Sequence, residues 1–137
     1  MTRKEERRIV LALVHAAEEV AGRKVSALER AHLRALLRGA GKPIAFEGGD
    51  CGRRTLELRA AHGEGFDYRW AVSAKAMENG CREEAKRLLA ATEERVWPII
   101  HKLGRKGLPV KGFAVRVDQD GKAVGEPIGT VSFDRGS

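Results

Sequence analysis

The chain has 137 residues, 42% hydrophobic and 33% charged, and its 26 basic side chains outnumber 19 acidic ones to give a net charge of +7. That length supports a single domain, residues 1–137, with one sizeable core, and the charge favours a polyanionic partner over a neutral one. No apolar run approaches the ~20 residues of a membrane span. The run Ile9–Val14 is too short, and too closely flanked by Glu5, Glu6, Glu18 and Glu19, for a secretory signal. A cytoplasmic protein with no membrane partner is the expectation. Seventeen arginines against nine lysines, with Asn79 as the single asparagine, fit GC-rich coding and a bacterial source.

A first helix is predicted over Arg3–Ala21. Thr2 and Glu5 form a capping box, Ile9, Leu13, Ala16, Ala17 and Val20 recur at helical spacing, and Gly22 supplies the stop. Ser26 and Glu29 open a second helix that ends near Arg38, and the short connection makes residues 1–39 an αα-hairpin. Arg30, Arg34 and Arg38 follow one another along it at i, i+4 and i+8. Such a stripe reads first as a solvated face and only second as a phosphate-contacting one. After a glycine-rich break, Ile44–Phe46 reads as a short strand, and a β-hairpin follows. In the hairpin Thr55–Ala60 alternates through Leu56 and Leu58, then Phe66, Tyr68, Trp70 and Val72 alternate with Asp67, Arg69, Ala71 and Ser73. The aromatic row could stack bases, but its alternation beside Leu56 and Leu58 assigns it to the core.

A third helix is predicted from Gly80–Cys81 to about Leu103, with Ala85, Leu88, Leu89, Val96, Ile99 and Ile100 forming its apolar stripe. Pro98 inside it predicts a kink or a break. Val110–Val117 is again a strand, Asp118–Lys122 a hairpin turn, and Ala123–Val124 with Ile128–Phe133 continue the sheet. The order predicts an α+β fold: an N-terminal αα-hairpin, then over residues 53–134 an antiparallel sheet of two β-hairpins separated by a long helix, ββαββ.

Charge is unevenly distributed. Residues 95–117 carry six cations and no acid, whereas residues 1–19 balance four cations with four acids. Lys102, Arg105, Lys106, Lys111 and Arg116 are therefore the candidate phosphate contacts, with Arg53 and Arg54 extending the patch. Lys102, Arg105 and Lys106 also fit a helix C-terminus, where cations offset the macrodipole; Lys111 and Arg116 lie beyond it. The leading expectation is a small non-enzymatic protein binding DNA or RNA. The alternative is an interaction module or inhibitor that docks an acidic protein surface, with Trp97, about 60° outside the apolar stripe, and His101 beside it as partner-binding residues.

Catalytic signals are weak. His15, His32, His62 and His101 stand apart with no metal-binding spacing, and no cofactor or metal motif is present. Cys51 and Cys81 fit neither a disulfide framework nor a metal site, although they could pair. Cys51 lies in G-G-D-C-G-R-R, where Arg53 and Arg54 would lower a thiol pKa, so a Cys/His-dependent enzyme is a third reading.

Overall fold

The computed structural model describes residues 2–61, 65–103 and 110–133. Helix α1 (Arg3–Ala21) begins at the expected capping box: the Thr2 hydroxyl accepts from the Glu5 N–H at 3.1 Å, and the Glu5 carboxylate accepts from the Thr2 N–H at 2.7 Å. Gly22, in the left-handed region at φ 72°, ends it. Helix α2 (Ala27–Ala35) repeats the device with Ser26 and Glu29, then tightens into a 3₁₀ turn, Leu36–Arg38, before Gly39. The αα-hairpin expected from the sequence is therefore present.

Five strands follow: β1 (Ile44–Phe46), β2 (Arg54–Ala60), β3 (Phe66–Ser73), β4 (Val110–Val117) and β5 (Gly129–Ser132), with helix α3 (Asn79–Leu103) between β3 and β4. They form one sheet in the order β1-β2-β3-β4-β5. Three of its pairings are antiparallel, but β3 and β4 are parallel, from Phe66 opposite Val110 to Ser73 opposite Val117. The purely antiparallel sheet expected from the sequence is thus corrected to a mixed one. The reason is the crossover. A 25-residue helix spans roughly 37 Å at its rise per residue, more than the length of β3, so it carries the chain back to the end where β3 began. At their centre these two strands are buried on both faces, although the helices cover only one. Trp70, Ala71 and Val72 are accordingly buried in succession, as are Ala114 and Val115.

The helices share one side of the sheet. Leu56, Leu58, Phe66, Tyr68, Trp70, Val72, Val110 and Ala114 point toward them and are buried, α1 packs most extensively on α3, and α2 reaches β1 and β2. The aromatic row is core, with Phe66, Tyr68 and Trp70 exposed by 1%, 0% and 0%. Helix α3 passes through Pro98 without a break. Pro98 is exposed, so the Glu94 carbonyl that loses its N–H partner is on the solvent side of the helix.

Gly112 shows how tightly β3 and β4 meet. It stands opposite Tyr68, and a Cβ there would lie 2.3 Å from Cζ and 2.5 Å from the hydroxyl of that ring. Tyr68 cannot retreat: its hydroxyl is 3.3 Å from Thr92 Oγ1 inside α3, and burial pushes its pKa above the ordinary tyrosine value. Gly112→Ala is expected to destabilise the fold by about 1–3 kcal/mol through overpacking. The loss should shrink when Tyr68→Leu opens the space. Denaturant titration of the two single variants and the double variant measures this, and an additive result would refute the contact as its cause.

Candidate nucleic-acid interface

The acid-free stretch does not fold into one patch. Lys102 and His101 are exposed at the end of α3, while Arg105 and Lys106 lie outside the described residues. Lys111 and Arg116 are five residues apart on one strand, so they point to opposite faces of the sheet. Lys111 is exposed on the face away from the helices, across the ladder from Asp67. Burial raises the Asp67 pKa and the cations of Lys111 and Arg59 pull it back down, so Lys111 already faces a carboxylate. Arg116 is on the helix side and half-buried, its guanidinium set against Gly125, where a Cβ would lie 2.9 Å from Nη2. Trp97 is 37% exposed and rests on Phe133, with ring centroids 5.8 Å apart.

Arg53 and Arg54, adjacent in sequence, have opposite fates. Arg53 is exposed, 3.6 Å from Glu47. Arg54, 3% exposed, is withdrawn from the surface and leaves the candidate phosphate-binding set. Its Nη1 donates to Glu84 Oε1 at 2.6 Å and its Nη2 to the Glu47 carbonyl at 3.1 Å, while Glu84 Oε2 accepts the Cys51 N–H at 3.1 Å. Alternation explains this: Arg54 falls on the inward row with Leu56 and Leu58, where only a partnered cation is tolerated. Cys51, 2% exposed, is joined to Cys81 with Cα atoms 4.7 Å apart. The thiol enzyme reading loses its nucleophile, because no described cysteine is free. His62, a possible partner, lies outside the described residues.

A different set of cations does converge. The antiparallel hairpin lays the start of α1 against the end of α2, and Arg3, Arg7, Arg34 and Arg38 surround a hollow of about 220 Å³ with Glu6, Ala31 and Ala35. Glu6 is the only acid in its lining and is already used, its Oε1 accepting from Arg38 Nη2 at 2.9 Å. Arg3, Arg7 and Arg34 have no ion-pair partner among the described residues. A well-capped helix end explains Arg34 and Arg38, since cations at a C-terminus offset the macrodipole. It does not explain Arg3 and Arg7, which stand in the first two turns of α1, where the macrodipole disfavours positive charge.

Sequence reasoning missed Arg3 and Arg7 because residues 1–19 sum to zero charge, which hides how the charges divide. The signal was available: Arg3 and Arg7 are one helical turn apart, and an αα-hairpin must bring them beside the last turn of the second helix.

A larger hollow of about 520 Å³ lies at the other end of α1, lined by His15, Glu18, Glu19, Arg23, Lys24 and Arg95. Its charges largely satisfy one another. Arg95 pairs with Glu19, the Glu18 carboxylate accepts the Val25 N–H at 2.8 Å, and Arg23 is held by Glu29 and the Ala45 carbonyl. The hydrogen bond from Arg23 lowers the Glu29 pKa to about 2. The arginine hollow is therefore the better anion site: it is smaller, but three of its four arginines, Arg3, Arg7 and Arg34, have no ion-pair partner among the described residues. Among the described residues no cluster of histidine, cysteine or acidic side chains could hold a metal ion, and no helix is long and apolar enough to cross a membrane. Comparison with known proteins finds no matching family model, curated protein or solved structure, so these side chains alone carry the functional argument.

Proposed function

We propose that the protein binds nucleic acid without catalysis, and that the phosphate-contacting surface is the arginine hollow between α1 and α2. One observation carries this reading: four arginines, from α1, α2 and the 3₁₀ turn that follows it, line one hollow whose single carboxylate is already paired with one of them, Arg38. Guanidinium groups bind phosphate in bidentate fashion, and rigid helices hold them in place before the ligand arrives. Lys4 and Arg8, exposed on the same two turns of α1, add to the local potential. Lys102, Lys111 and Arg53 remain exposed cations outside this surface and contribute to steering at long range.

The test is a salt titration of binding to mixed-sequence nucleic acid. Affinity is expected to fall steeply with salt, and Arg7→Glu with Arg34→Glu to reduce the slope of log affinity against log salt by about 2. Lys111→Glu should leave the slope within about half a unit of wild type. Unchanged slope in the double variant, or no binding at low salt, would overturn the proposal. An acidic protein partner would appear instead as binding that Trp97→Ala abolishes and nucleic acid does not compete.

Cytoplasmic placement belongs to the same proposal, and the Cys51–Cys81 bond is the observation that opposes it. The cytosol keeps thiols reduced, so a Cys51–Cys81 bond found in protein alkylated at lysis would place the chain in an oxidising compartment.

A further inference from the structure

We infer that the ligand of the arginine hollow is a double-stranded nucleic acid, held by its backbone with little regard to sequence; this rests on the nucleic-acid reading above. The inference comes from the chemistry present on that face together with the location of all the chemistry absent from it.

Single-strand binders combine a cationic groove with aromatic side chains on which bases stack, each stacked base contributing about 1–3 kcal/mol. The seven aromatic residues of this chain are all accounted for. Phe46, Phe66, Phe133, Tyr68 and Trp70 are at most 1% exposed, inside the core. Trp97 is on α3 against Phe133, and Phe113, half-buried, is on the sheet face opposite the helices. None belongs to α1 or α2, so an unstacked base finds no platform beside the hollow.

What the face does offer is fixed positive charge. A site that works by charge alone favours the ligand with more charge per unit length, and a duplex carries one phosphate per ~1.7 Å of axis against ~3.4 Å for each strand counted singly. Arg3 and Arg7 on one wall and Arg34 on the other stand on α-helices, and Arg38, on the 3₁₀ turn that ends α2, is held in place by Glu6. Cations held in this way suit a ligand whose phosphates are already in place.

Sequence readout is as poorly provided. Adenine is read by asparagine or glutamine. The chain has one of each, Asn79 at the start of α3 and Gln119 in the turn after β4, and neither is on this face. Arginine can read guanine, but two of the four arginines stand at the beginning of α1, beside the Glu6–Arg38 pair that ties the helices together. Their geometry is that of a backbone clamp.

Fluorescence anisotropy with labelled oligonucleotides tests the inference: one duplex, its two separated strands, and a second duplex of the same composition in scrambled order, each at several salt concentrations. The duplex is expected to bind about tenfold or more tightly than either strand, with the two duplexes within about threefold of each other. Arg7→Gln with Arg34→Gln should weaken duplex binding, and circular dichroism of that variant should match wild type because Arg7 is exposed, Arg34 is only half-buried, and neither has an ion-pair partner among the described residues. Equal or tighter binding of a single strand overturns the duplex assignment while leaving the nucleic-acid reading in force. A strong preference between the two duplexes overturns the backbone clamp. Failure of every oligonucleotide to bind overturns the nucleic-acid reading itself, and unaltered duplex binding by the double variant removes the hollow as the site.

Discussion

Glu84→Ala is expected to lower the unfolding free energy by roughly 3–5 kcal/mol, because it strands a buried cation. Arg54 cannot reach water: its side chain is 4% exposed and that of Glu84 is 10% exposed. The pair joins β2 to the second turn of α3, and the Cys51 N–H and the Glu47 carbonyl add hydrogen bonds from the loop between β1 and β2, leaving Arg54 Nε buried without a partner among the described residues. Gly49 lets that loop close over the carboxylate, since a Cβ there would lie 2.8 Å from Glu84 Oε1. The cost of the alanine variant is mostly the uncompensated guanidinium, not the net strength of the pair. Removing both charges should therefore be far milder: Arg54→Met with Glu84→Leu is expected within about 1–2 kcal/mol of wild type, on either side. Denaturant-induced unfolding of the two single variants and the double variant measures the coupling. A Glu84→Ala loss below about 1 kcal/mol would show that Arg54 finds water or another partner.

The second large effect is loss of the Cys51–Cys81 bond. The cysteines are 30 residues apart, and closing a loop of that length in the unfolded chain corresponds to about 3–4 kcal/mol in the chain-entropy treatment. Cys51→Ala with Cys81→Ala should cost about that much, and reductant should move the unfolding midpoint of wild type toward that of the variant while leaving the variant unmoved. A wild-type midpoint indifferent to reductant, with both thiols alkylated under native conditions, would show that the bond does not form. The two effects overlap in space, since Cys51 supplies both a sulfur to Cys81 and its N–H to Glu84. The combined variants should therefore lose a different amount from the sum of their separate losses.

These two interactions also set the frame for the proposed function. They fix the loop between β1 and β2 and the start of α3, neither of which lines the arginine hollow, so their variants separate stability from binding. A folded Glu84 variant at low denaturant should still bind nucleic acid with the wild-type salt slope, whereas the Arg7 and Arg34 variants should lose slope with little loss of stability. The arginines of the hollow are surface cations whose substitution typically changes stability by no more than about 0.5 kcal/mol.

Local rules determined much of this protein from its sequence. Both capping boxes, the glycine stop after α1, the hairpin of the first two helices, the strand positions and the burial of Phe66, Tyr68 and Trp70 follow from spacing over a few residues. Even the separation of Lys111 from Arg116 was present in the sequence, as an odd interval on a strand, although a count of charges along the stretch conceals it. The tertiary structure alone decided three things. It set β4 parallel to β3, because a helix longer than the strand returns the chain to the strand's starting end. It gave Arg54, which alternation turns inward, a partner that lets it stay there, a carboxylate 30 residues away. It gathered Arg3, Arg7, Arg34 and Arg38 on one hollow, because antiparallel helix packing places the first turns of α1 beside the last of α2. Each depends on which distant segments meet, and the energy that selects those meetings is summed over the whole core rather than carried by any one motif.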